Sequence, residues 1–129
     1  MIITHSQGLV RTVDERVGVV LSRCLARRGM LYSECESIDY LRLAPGTTTD
    51  TRGRAGIERA WFVLHGSGEL LPDGPRAPAI SVRENDFVQC RSGSAAILRN
   101  TGETALELLL LSVFPASVTS KLPVRKPVE

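Results

Sequence analysis

Glycine and proline cut this chain into short pieces, and the pieces are built for strands. Eleven glycines and seven prolines are spread over 129 residues. The runs between them favour β-branched and aromatic side chains, which suit a pleated, half-buried surface. Val17 to Cys24 (VGVVLSRC) is β-branched. Ser33 to Leu43 alternates and stops at Ala44-Pro45-Gly46; Arg59 to Leu64 (RAWFVL) stops at His65-Gly66-Ser67-Gly68. Glu69 to Leu71 and Ala79 to Val82 flank Pro72-Asp73-Gly74-Pro75, which predicts a hairpin. Phe87 to Cys90, Ala95 to Arg99 and Ala105 to Phe114 complete the set, with Asn100-Thr101-Gly102 between the last two. Short strands at this spacing predict an all-β antiparallel sandwich or barrel. Leu21 to Met30 has a helical alternative, with Leu21, Cys24 and Leu25 at helical spacing, but Gly29 and the strand-like surroundings count against it.

Size and charge narrow the function. At 14.0 kDa the chain is the size of one domain. We assign residues 1–115 to it and read Ala116 to Glu129, with Pro123 and Pro127, as an extended tail that could pack on a neighbouring subunit. Sixteen basic against fourteen acidic residues leave a formal charge of +2, without the basic excess of a nucleic-acid binder. The most apolar stretch, Ala105 to Pro115, contains Glu107 and is too short to span a bilayer. Met1 to Gln7 lacks the pattern of a secretion signal, and Cys24, Cys35 and Cys90 read as reduced thiols of a cytoplasmic protein.

Two spaced patterns carry more information. Gly46, five residues, Arg52-Gly53-Arg54, four residues, Arg59, six residues and Gly66 form the first. Asn85, five residues, Arg91-Ser92-Gly93, two residues, Ala96, three residues and Asn100 form the second. In spacing the chain resembles a single-domain cupin, a small jelly-roll β-barrel, and the resemblance covers Gly46 to Asn100. Metal-binding cupins place three histidines and a glutamate at the positions occupied here by Arg52, Arg54, Arg59 and Ala96. Arginine and alanine offer a metal no lone pair. The resemblance therefore implies the barrel, with no metal and no other cofactor.

Alternation places Arg59, Trp61, Val63 and His65 on one face of a strand, and Glu58, Ala60, Phe62 and Leu64 on the other; a slip of one residue exchanges the sets. Keeping both motif glycines in place selects the first. Ala96 and Leu98 then face the same interior, and the small Ala96 leaves room for a pocket. An inward Arg59 needs a partner, either Glu58, Glu36 or Asp39, or an anionic substrate. His65, Glu58 and Arg59 are the candidate catalytic residues; Arg52, Arg54, Trp61, Val63, Tyr40, Ala96 and Leu98 are the candidate substrate contacts. Arg52 and Arg54 also fit solvated loop charges. His65 titrates nearest neutrality, so it is the expected general acid or base. The expected activity is metal-independent isomerisation, cyclisation, epimerisation or dehydration of a small anionic or polyketide-like intermediate. The alternatives are a non-catalytic ligand-binding module and a metal enzyme with unfamiliar ligands. The apolar strand Leu106 to Val113 needs cover on both faces, which predicts a homodimer.

Overall fold

The computed structural model describes residues 3, 7–14, 18–27, 35–50, 57–74, 76–90 and 96–123. Arg52 and Arg54 lie outside the described residues. Ten strands occur in those described: β1 (Val10–Asp14), β2 (Gly18–Arg27), β3 (Cys35–Leu43), β4 (Thr48–Asp50), β5 (Glu58–His65), β6 (Ser67–Pro72), β7 (Ile80–Arg83), β8 (Phe87–Cys90), β9 (Ala96–Asn100) and β10 (Leu106–Val113). They form a six-stranded sheet in the order β1-β2-β3-β10-β5-β8 and a four-stranded sheet in the order β4-β9-β6-β7. Every pairing is antiparallel.

Strict alternation in β10 sets the layers. Leu106, Leu108, Leu110 and Ser112 are buried, and the residues between them are half-buried. The inward set meets Leu41, Leu43, Trp61 and Val63 of its own sheet and Leu70, Val82, Ala96 and Leu98 of the other in one apolar cluster.

A polar seam closes one end of this cluster. Asn100 is fully buried; its Nδ2 donates to the carbonyls of Leu43 (2.8 Å) and Thr104 (2.9 Å), and its Oδ1 accepts from Gly102 N–H (2.9 Å). Its backbone N–H donates to Thr47 O and its carbonyl accepts from Gly46 N–H, both at 2.9 Å. Thr47 continues the seam, accepting from Val19 N–H at 3.1 Å. The motif glycines have conformational reasons. Gly46 and Gly66 have φ of 77° and 91°, and a Cβ on Gly66 would lie 2.8 Å from Ala105 O. Asn85, where the second pattern usually has glycine, adopts φ 73°, a region that asparagine tolerates better than most residues.

The two strands expected to form a hairpin, β6 and β7, pair antiparallel, with Leu70 opposite Ile80. Three features differ from the sequence reading. β1 and β4 were not anticipated, because VRTVD and TTD are too polar or too short to signal strands. The helical alternative over Leu21 to Met30 is not realised in its described part, which pairs on both sides as β2. In the tail, expected to be extended, Ala116–Thr119 winds into one helical turn, α1, after Pro115.

Removing the Asn100 amide strands two carbonyls and one N–H in the core. Asn100→Ala should lower unfolding stability by about 2–4 kcal/mol, measured by urea denaturation. A loss below about 1 kcal/mol would show that the seam is not limiting.

Candidate site at the polar end of the barrel

The strand registers arrange the inner face of the large sheet into cross-strand rows. Val20, Leu43 and Leu106 form the row beside the Asn100 seam. Ser22, Leu41, Leu108 and Val63 form the next. The third is Cys24, Asp39, Leu110, Trp61 and Val88; the fourth is Arg27, Ser37, Ser112, Arg59 and Cys90. The face is therefore apolar at the closed end and polar at the end where β2 and β8 finish and β3 and β5 begin. The same alternation that buries Leu41 and Leu43 carries Asp39 and Ser37 inward.

Ser37 Oγ donates to Asp39 Oδ2 at 2.8 Å. Opposite Asp39, the Cys24 thiol donates to Ala26 O at 3.3 Å. Cys24 sits at an exposed position, yet local burial pushes its thiol pKa up, and the charge of Asp39 and a hydrogen bond to it add to the rise. Arg27 and a backbone hydrogen bond from Ala26 oppose the rise but do not cancel it. Arg59 donates through Nη1 to Asp50 O at 3.3 Å. Among the described residues its Nε is shielded from solvent without a hydrogen-bond partner, and so is the indole Nε1 of Trp61. These two donors stand two residues apart on the inner face of β5.

The predicted residues divide. Trp61, Val63, Ala96 and Leu98 face the interior as expected, but they are core: their exposures are 1%, 0%, 7% and 1%. The room expected beside Ala96 is taken up by packing; Arg59, Ser37 and Asp39, further along the same face, are half-buried. Arg59 faces inward opposite Ser112, and among the described residues it forms no ion pair with Glu58, Glu36 or Asp39. Glu58 pairs with Val113 and lies on the opposite face from Arg59.

His65 corrects the alternation argument. The pairing of β5 with β10 shifts between Val63, opposite Leu108, and His65, opposite Glu107, so Leu64 is an extra residue. This β-bulge turns His65 to the outer face. Its side chain is 58% exposed, with Nδ1 3.3 Å from Glu84 Oε2. His65, Glu58 and Arg59 are therefore not brought together. Tyr40 also belongs to the outer face, opposite Leu109. Its hydroxyl donates to Glu107, which also lies 3.8 Å from Arg42 Nε. A recess of about 130 Å³ lies beside this group, between Val19, Leu21, Arg42, Ala44 and Ala105.

Asp39, Ser37 and Ser112 are the interior polar residues that sequence reasoning did not place in the site; Asp39 entered only as a candidate partner of Arg59. The signal was present, since Ser37 and Asp39 continue the odd-numbered series of Leu41 and Leu43.

Known structures share this architecture. A protein from Thermotoga maritima described as a predicted oxalate decarboxylase superposes with TM-score 0.77, covering 89% of this chain and all of its own at 21% identity. A cupin 2 conserved barrel domain protein from Salinispora arenicola gives 0.65 at 16% identity, covering 86% and 87% of the two chains. KdgF from a Halomonas species gives 0.60 at 11% identity, covering 84% and 90%. No family model matches the chain, and no curated protein matches it in sequence. The chain thus has the fold of the cupin superfamily, an antiparallel jelly-roll barrel. No helix among the described residues is long and apolar enough to cross a membrane.

The donor set does not fit a cupin metal ion. Of the four ligand positions, the two described hold Arg59 and Ala96, and among the described residues no three His, Cys, Asp or Glu side chains cluster closely enough to hold a metal.

Burial raises the Tyr40 pKa to about 12, helped by the hydrogen bond to Glu107 and by its charge, with Arg42 opposing. The folded chain holds this proton after the unfolded chain has released it. The contribution to stability is therefore complete below pH 10 and lost as pH rises to about 12. Ultraviolet titration should show one of the two tyrosines ionising near pH 12, and Glu107→Gln should lower that midpoint. An unchanged midpoint in the variant would remove Glu107 as a cause.

Proposed function

We propose that the polar end of this barrel binds a small organic anion and acts on it by proton transfer, without a metal ion. The observation that carries this reading is the pair of unpartnered, solvent-shielded donors, Arg59 Nε and Trp61 Nε1, on one face of one strand. Buried donors are nearly always paired, so two orphans side by side mark where acceptor oxygens would be stabilised. A guanidinium recognises carboxylate, phosphate or enolate oxygen with a planar fork. The same donors would stabilise negative charge developing on a carbonyl oxygen, which suits isomerisation, epimerisation or dehydration. Ser112, buried between Ser37 and Arg59, supplies a further hydroxyl.

Calorimetric titration with pyruvate, acetate and inorganic phosphate tests this. We expect at least one to bind, Arg59→Ala to weaken it tenfold or more, and His65→Ala, on the outer face, to leave it unchanged. Equal binding by the Arg59 variant and the wild type would overturn the assignment.

Pairing with a second copy is supported by the outer face of the six-stranded sheet. Phe62 stands opposite Phe87, and Leu109 and Leu111 lie beside them, half-buried, while Phe87 is 59% exposed. Light scattering should give a dimer mass for the wild type and a monomer mass for Phe87→Asp. A monomeric wild type would refute the pairing.

A further inference from the structure

We infer that Asp39 is the base that removes a proton from a compact 2-oxo acid held by Arg59 and Trp61. This rests on the anion-binding reading above and adds the group that does the chemistry. Asp39 and Trp61 share one cross-strand row, with Leu110 between them, and Arg59 lies in the next row outward. Neighbouring strands are about 4.8 Å apart and residues two apart on a strand about 7 Å, so the α-carbons of Asp39 and Arg59 are separated by on the order of 12 Å. Once the long arginine side chain extends inward, the gap suits a skeleton of about three to five carbons.

The order of groups selects the substrate class. Two donors on β5 face two neighbouring acceptors: the carboxylate of a 2-oxo acid on Arg59, and its ketone oxygen on the Trp61 N–H. The third carbon then lies over Leu110, toward β3 and Asp39. Asp39 is built to accept a proton there. Ser37 Oγ fixes Oδ2 at 2.8 Å, and a carboxylate has about four acceptor sites, so others remain for the substrate. Cys24 stands opposite Asp39 in the pairing of β2 with β3, and burial and the charge of Asp39 push its thiol pKa up.

In the step, the C3–H bond breaks and its proton forms an O–H bond on Asp39. The C–H electron pair becomes the C2=C3 double bond, and the former carbonyl pair moves onto oxygen, giving an enolate opposite the two donors. Return of a proton to C3 restores the ketone, so no oxidant or co-reactant is needed.

Proton NMR in D₂O with pyruvate and 2-oxobutanoate tests this, with dissociation constants measured in parallel. We expect the wild type to accelerate deuterium uptake at C3 at least a hundredfold over buffer. Asp39→Asn should lose that acceleration while binding the acid within threefold of the wild type, which also shows that it is folded. If neither acid binds, this inference fails; if acetate and inorganic phosphate also fail to bind, the anion-binding reading fails with it. If an acid binds the wild type without faster exchange, or if the Asp39 variant exchanges at the wild-type rate, this inference alone fails.

Discussion

One buried amide determines how the two sheets meet. Asn100 reaches from the last residue of β9 to Leu43 at the end of β3, and its side chain and backbone together join that strand end, the Thr104 turn and the Gly46–Thr47 turn. Burying an amide is favourable only when its donors and acceptor are satisfied, and here all three hydrogen bonds are made within the protein. Such a contact fixes distance and direction together, which apolar packing alone does not. Thr47 extends the fixed region to β2 through Val19.

Pinning one end leaves the other free to vary. Between the Asn100 seam and the outermost row, the inner face changes from leucine and valine to aspartate, serine and arginine within four rows of one sheet. The apolar rows hold the sheets together by area buried, roughly 25 cal/mol per Å². The outer rows contribute little of that kind. Among the described residues Arg59 Nε is shielded without a partner, a position that lowers stability rather than raising it. Local costs of this kind collect where a protein does chemistry, and this one falls at the end that the seam does not reach.

The architecture was legible because its signals are local. Alternation over Arg59 to Leu64, the hairpin residues around Asp73-Gly74 and the spacing of Gly46 and Gly66 each reflect a backbone requirement written in a few neighbouring residues. The site was less legible. Whether His65 faces in or out depends on an extra residue in the pairing with β10, and Leu64 looks like any other strand residue in the sequence. Ala96 seemed to vacate space, but space depends on what surrounds it, and Trp61 and Leu98 bring the core up to it. Asp39 and Ser37 were hidden for the opposite reason. Polar residues in an alternating strand read as its solvent side until β10 shows that Asp39 lies opposite the buried Leu110.

By the spacing resemblance Arg59 stands where metal-binding cupins carry a ligand, and an arginine stabilises charge differently. A metal ion draws electron density from an oxygen it binds, and it requires lone pairs from the protein to hold it. Arg59 brings its own charge with the chain, so no ligand set is needed, and its planar fork favours acceptors lying in one plane, as in a carboxylate or an enolate. Proton movement is one chemistry these side chains can supply. That movement needs an acceptor on the same face as the positive charge, close enough to reach the same small molecule but not to neutralise the guanidinium by pairing with it. Asp39, two strands and one row away and tied to Ser37, meets both conditions, whereas Glu58, adjacent in sequence, projects from the other face of the sheet.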